Sequence, residues 1–309
     1  MTESSRLGAL LVILFLIMAN ANAVFSGWLL QSISPFTLLF WGFLTTTLFF
    51  FARLCTMHGI SALQIPRSSV LGLVALNFFS GVSWIGYYYA LKYIEPAIVS
   101  AIMGCVGPLF IFVACLSFGR DVSVRQAITS VGIIFGTVLL AWASISNLSA
   151  VHNSNQYQVT LGLAAALIGG LGQVMTTLST KELAKQSWNA SQIMAHRFYL
   201  LITVSAIAAI NDSGVMIAEL SDVASVGLVT ILGIIVPLWL LQRGIIMSSP
   251  FTVSVLLALG PLVTLTFQIL DSRLTWSNMT VMGCGIIVIS TINNFTIKKP
   301  APALRRVKN

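Results

Sequence analysis

Apolar runs long enough to cross a bilayer follow one another along the whole chain, and this limits the possible fold more than any other feature. Each holds roughly 17–25 residues, which as a helix spans a hydrocarbon core about 30 Å thick. Ten runs are read, at about 7–30, 35–54, 70–91, 97–118, 126–145, 160–180, 191–210, 223–242, 251–270 and 277–297. Backbone groups facing lipid must be satisfied within their own segment, so each run is expected to be a helix. Of the 309 residues only 8% are charged, against about 25% in a soluble domain. No stretch is left over for a soluble domain. The expected fold is therefore an all-α membrane protein of ten transmembrane helices. The first run is too long for a cleavable leader and leads straight into the second, so no signal peptide is expected.

The formal charge of +8 is not read as affinity for nucleic acid, because the cations are sorted by side. With the N-terminus in the cytoplasm, Arg6, Arg53, Arg67, Arg120, Arg125, Lys181, Lys185, Arg197, Arg243, Lys298, Lys299, Arg305, Arg306 and Lys308 fall inside or near the inner face. Only Lys92 and Arg273 fall outside. An excess of this kind sets orientation. Asp212, Glu219 and Asp222 lie in the outer loop between runs seven and eight.

The stretch from Asn77 to Gly136 has a weaker copy later in the chain. At an offset of 153, Gly107-Pro108 falls on Gly260-Pro261, Arg120 on Arg273 and Gly132 on Gly285. This is read as an internal repeat. The expected units are 1–145 and 160–297, joined by the polar connection 146–159 and followed by the basic tail 298–309. Five runs per half is an odd number, so the second half enters the membrane inverted. Lys92 outside and Arg243 inside, near equivalent loops, agree with that. Inverted repeats are typical of secondary transporters, whose substrate site lies near the midplane between the halves.

The sequence resembles the EamA-type members of the drug/metabolite transporter superfamily over nearly its whole length. The resemblance is carried by the two halves, by the AL-x-Y-I-x-P-A…G-P segment at Ala90–Pro108 and by GRDVSVRQAITSVGIIFG at Gly119–Gly136. It implies ten helices, cytoplasmic termini, a central cavity and a bacterial inner membrane. It also implies transport, often export, of amino acids, metabolites or drugs. There are departures. The first run reads ANANAVFSGW where the family has a Trp-Gly pair and a Lys. The second reads FWGF where an Arg is usual, although the seventh keeps one in AHRFY. Asp121 stands where Glu is commoner. These departures bear on the substrate rather than the fold.

Run three offers the richest polar face. Asn77, Ser80, Trp84, Tyr88 and Leu91 are spaced by three and four, so they share one side of a helix. They are read as cavity lining, where aromatic bodies supply apolar contact and polar tips bond a ligand. Tyr87 and Tyr89 are read as part of an interfacial aromatic belt. Asn20 and Asn22 in run one should face the interior, either toward a substrate or in interhelical hydrogen bonds. Gln173 is the equivalent of Asn20 at the repeat offset. Trp239 and Gln242 close run eight, with an interfacial role open for Trp239. Arg197 lies about six residues, roughly 9 Å, into run seven beside His196. It is read either as the partner of a substrate carboxylate or as a cation snorkelling to headgroups. His196 is the one group titrating near neutral pH that falls well inside a run. Gly107-Pro108 and Gly260-Pro261 are expected to interrupt runs four and nine as paired breaks or hinges. Gly132 and Gly136 form a GxxxG pair, read as close packing inside the protein or in a homodimer.

No cofactor or metal is expected. Cys55, Cys105, Cys115 and Cys284 have no ligand spacing, and His58, His152 and His196 fit no HExxH motif. A nucleophile elbow and paired intramembrane aspartates are also missing, so no enzyme is read. A nucleotide-driven pump would need a GxxxxGK[ST] loop. A channel would need a continuous polar lining or charged rings, and a receptor would not explain paired breaks. The expected function is a secondary transporter exporting a small organic, amino-acid-like metabolite by alternating access. An importer or facilitator is the second reading, and the expected partners are that substrate and the lipid bilayer.

Overall fold

The computed structural model of the protein describes residues 3–117, 124–146, 148, 155–212, 214–217, 219–247, 256–257, 259–271 and 277–295. Arg120, Asp121, His152, Arg273 and residues 298–309 lie outside these, as do the side chains of Pro108, Cys115 and Arg125. Among the described residues every regular element is a helix. α1 (Glu3–Leu29) leads to α2 (Pro35–His58), whose Pro35 sits in the first turn, where its missing N–H costs nothing. Two 3₁₀ turns then enter α3 (Val70–Tyr93), followed by α4 (Pro96–Ser117) and α5 (Val124–Ile145).

α6 (Gln156–Lys185) opens on a reciprocal cap. The Gln158 amide donates to Asn155 Oδ1 at 2.9 Å, and the Asn155 amide donates to Gln158 Oε1 at 3.0 Å. The same Asn-x-x-Gln pattern, Asn189 with Gln192, opens α7 (Ala190–His196). Such boxes satisfy amides that a helix start leaves free. α8 (Tyr199–Asp212) and α9 (Leu220–Leu228) follow. A π-helical segment, Val229–Ile235, leads into α10 (Val236–Met247). α11 (Gly260–Gln268) and α12 (Asn278–Phe295) complete the described chain.

Seven helical segments among the described residues are long and apolar enough to cross a membrane. They are Arg6–Leu29, Pro35–His58, Ile60–Tyr93, Ala127–Ile145, Gln156–Lys185, Ala190–Asp212 and Leu220–Gly244. Pro96–Gly107 and Asn278–Ile292 are shorter apolar helices. The outer faces match this reading. On α5 the exposed stripe is Ile128, Val131, Phe135, Val138 and Trp142, a surface that water would not tolerate over such a length. The protein is thus an integral, multi-pass, all-helical membrane protein.

α3 lies along α6, α5 along α12, and α1 along α10 and the π segment. α2 packs on α7 and α8, while α4 packs on α6 and α11. Apolar contact with lipid is as good as with another helix, so close backbone approach must hold such pairs. The Gly132/Gly136 stripe serves this purpose within the chain. A Cβ at Gly136 would lie 2.7 Å from Ile287 Cγ1 and 3.0 Å from the Gly283 carbonyl on α12. Gly136→Val should therefore lower stability by about 1–3 kcal/mol, read as an earlier loss of the monodisperse peak in thermal-shift chromatography.

The backbone treats the two expected breaks differently. α4 is helical straight through Gly107-Pro108. A proline inside a membrane helix removes one donor and bends the helix without having to end it. At Gly260-Pro261, inside run nine, a helix starts anew: Leu259 caps α11 and Pro261 sits in its first turn. Further irregular backbone lies between α7 and α8 and at the π segment. Pro237 lacks the N–H that would bond to the Gly233 carbonyl, and the wider π turn ends just before it.

Candidate functional site

The Ala190–Asp212 span is broken at Arg197-Phe198, where neither residue is Gly or Pro. In an unbroken helix the Leu200 amide would donate to the His196 carbonyl. Here the Asn77 carboxamide of α3 stands in that gap. Its Nδ2 donates to the His196 carbonyl at 2.8 Å and to the Leu73 carbonyl at 3.0 Å. Its Oδ1 accepts from the Leu200 amide at 3.4 Å. Asn77 is thus bound to backbone on both ends and buried.

Arg197 projects from this break. Its Nε donates to Ser80 Oγ at 2.9 Å, and its guanidinium lies 5.3 Å from the Phe198 ring. The side chain is half-buried. Among the described residues no carboxylate lies within 4.0 Å of it; the ion pair they contain is Lys185–Glu182, at 2.8 Å. A desolvated cation held by one neutral hydroxyl is costly, and an anion arriving beside it would relieve that cost.

An aromatic column starts at the same place. Phe198 packs on Phe43 of α2 at 4.7 Å, and Phe43 on Trp84 of α3 at 4.8 Å. Trp84 stacks on Tyr88 at 6.0 Å with an interplanar angle of 28°. Tyr87 joins edge-on to both, whereas Tyr89 pairs with Tyr93 further along. The Tyr88 hydroxyl is buried and faces Asn22 and Ser26 of α1. Asn22 in turn rests on Gly233 of the π segment, where a Cβ would overlap its carboxamide.

His196 is buried against Phe51, Trp188 and Tyr199. Its Nδ1 shares a hydrogen bond with the Tyr199 hydroxyl, and its Nε2 has no partner among the described residues.

The other sequence candidates lie apart from this group. Asn20 joins three helices: its Oδ1 accepts from Thr264 of α11 and from Ser100 of α4, and its Nδ2 donates to the Leu16 carbonyl at 2.7 Å. Gln173 is exposed on α6, and no side-chain hydrogen bond joins it to a described residue. Trp239 is exposed, with the Arg243 guanidinium 5.0 Å above its ring, an arrangement suited to a headgroup region. Gln242 is half-buried beside it in sequence. Among the described residues none of these is hydrogen-bonded to Arg197 or paired with a ring of the column. Gly107 packs near Val174, and Gly260 lies near Ser100 and Asn20.

Sequence reading missed Phe43 and Phe198 because Phe is common in apolar helices and carries no polar atom to mark a site. It missed the break because the residue bonded to its freed carbonyl, Asn77, lies 119 positions away.

The EamA-like transporter family matches residues 6–142. No curated protein matches the chain in sequence. A solved structure described only as "Crystal structure of protein" is similar with a TM-score of 0.58 at 17% identity. The match covers 94% of this chain and 97% of that one. It extends the likeness of fold beyond the matched family region, to nearly the whole length. Residues 6–142, a little under half of the chain, are thus similar to the EamA-like transporter family.

Proposed function

We propose that the protein is a secondary transporter that exports a small organic metabolite bearing a carboxylate, amino-acid-like in kind, by alternating access around the Arg197 site. The observation that carries this is the half-buried Arg197 guanidinium, bound to the neutral Ser80 at the foot of an aromatic column. A carboxylate would take the free guanidinium nitrogens, and Phe43, Trp84 and Tyr88 would pack an apolar or aromatic remainder. The export direction and the bacterial inner membrane rest on the family resemblance. The cytoplasmic termini rest on the charge asymmetry.

The reading includes ten helices in two inverted halves. Helix packing supports it: exchanging each span for the one five places along turns α1 against α10 into α6 against α3. It likewise turns α1 against α11 into α6 against α4, and the π segment against α2 into α3 against α8. α2 with α7–α8, α4 with α11 and α5 with α12 map onto themselves. Such a two-fold pattern suits a rocking motion of one half against the other.

The test compares culture medium and cell extract from deletion and overexpressing strains. A carboxylate that rises in the medium on overexpression and builds up in deleted cells is the expected result. Accumulation inside overexpressing cells would instead make the protein an importer. With that compound in hand, Trp84→Ala should lower transport by about tenfold through loss of aromatic contact, at unchanged membrane abundance. Normal transport by this variant would remove the column from the site.

A further inference from the structure

Asn77 and Ser80 sit one turn apart on α3 and grip the same short stretch from the same face. Ser80 Oγ holds the Arg197 side chain. Asn77 holds the backbone on either side of it, at the His196 carbonyl and the Leu200 amide. That carbonyl and that amide are partners in any unbroken helix, so the carboxamide has been inserted into an ordinary helical hydrogen bond. The helix then restarts, with the Ile202 amide donating to the Phe198 carbonyl at 2.9 Å. Nothing else in the local sequence explains the break, since AHRFYL contains no Gly or Pro.

We propose that Asn77 is the positioning residue of this site: by occupying the gap between the His196 carbonyl and the Leu200 amide, it keeps the Ala190–Asp212 span open and sets the Arg197 guanidinium on Ser80. The inference rests on the reading that Arg197 receives a carboxylate. The physical argument is one of alternatives. Without the carboxamide, an apolar surrounding leaves the carbonyl and amide unsatisfied, which is costly. The nearest remedy is the direct bond between them. Forming it winds Arg197 and Phe198 into a continuous helix, which carries the guanidinium away from Ser80 and breaks the Phe198–Phe43 start of the column. Asn77 therefore acts through Arg197 and need not touch a substrate.

The test uses the purified full chain and three probes. Phenylglyoxal labels guanidinium groups, benzoate is a small aromatic carboxylate, and benzamide is its neutral counterpart. Labelling is read at Arg197 by peptide mass spectrometry, with the exposed Arg243 as internal reference. In the unmodified protein, benzoate but not benzamide should slow Arg197 labelling by about tenfold. In Asn77→Leu, which offers the gap no polar partner, the protection should fall below about twofold while Arg243 labelling is unchanged.

Asn77→Leu combined with Leu200→Pro is the decisive variant. Proline in the first turn of α8 is tolerated, removes the amide that would close the gap and should bring the protection back. A merely structural role for Asn77 would not be rescued this way. Equal protection in the unmodified protein and Asn77→Leu, or no recovery in the double variant, overturns the positioning role. Absence of benzoate protection in the unmodified protein overturns the carboxylate reading itself. If Asn77→Leu alone does not fold, the double variant decides, because its break is held open without the carboxamide.

Discussion

Arg197→Gln should reduce transport of the carboxylate substrate by at least about 30-fold, the effect of truncating one partner of a buried, hydrogen-bonded charge pair. The direction follows from the site. Gln keeps the length needed to reach Ser80 but has no charge to offer a carboxylate. Arg197→Lys should fall between the two, because an ammonium keeps the charge and loses the planar fork. The same change should not harm folding. Arg197 is half-buried and has no acidic partner within 4.0 Å among the described residues, so removing its charge removes a desolvation cost without stranding a counter-charge. The expected pair of results is an unchanged or higher melting temperature together with lost transport. Normal transport by Arg197→Gln, at normal abundance, would take the cation out of the mechanism and leave it as a snorkelling or structural residue.

Gly86→Val should prevent assembly of the bundle. A Cβ at Gly86 would lie 2.6 Å from the Ala165 carbonyl and 2.8 Å from Gly169 Cα. Both obstacles are backbone, so no rotamer change relieves them, and α3 would have to move off α6 along its length. Gly172 makes the matching approach from the other helix, 2.7 Å from the Ser83 amide nitrogen. Overpacking of this kind costs about 3 kcal/mol or more when the neighbours cannot shift. The measurement is the yield of monodisperse protein after detergent extraction. Gly81→Ala on the same helix is the control: its Cβ meets nothing within 4 Å, and alanine gains up to about 1 kcal/mol of helix propensity. If Gly86→Val extracts as well as Gly81→Ala, the α3–α6 approach is not what holds these helices together.

These two variants separate what holds the bundle from what it is proposed to do, and the two were unequally legible in the residues. The close packing of Gly132 and Gly136 was readable as a GxxxG spacing, and α12 fills it. The Asn-x-x-Gln starts of α6 and α7 are local signals of the same kind. The shared face of Asn77, Ser80, Trp84 and Tyr88 was readable from spacing alone. What each member of that face touches was not. Asn77 turned out to serve the backbone of a distant span, Ser80 the Arg197 side chain, and Trp84 and Tyr88 a column begun by two phenylalanines from other helices.

Gly107-Pro108 shows the opposite case. The residues signal a break, yet α4 continues through them, while AHRFYL gives no such signal and breaks. A bilayer makes any interruption depend on a neighbour able to satisfy the freed groups, so the partner decides whether a break occurs. What the sequence by itself determined was that the chain crosses a membrane repeatedly as helices, and which faces are polar. Those follow from hydropathy and helical period, which are local quantities. Only the tertiary structure decided where the backbone opens, which cation has no acid within 4.0 Å among the described residues and which rings stand beside it, because these are settled by side chains brought together from distant parts of the chain.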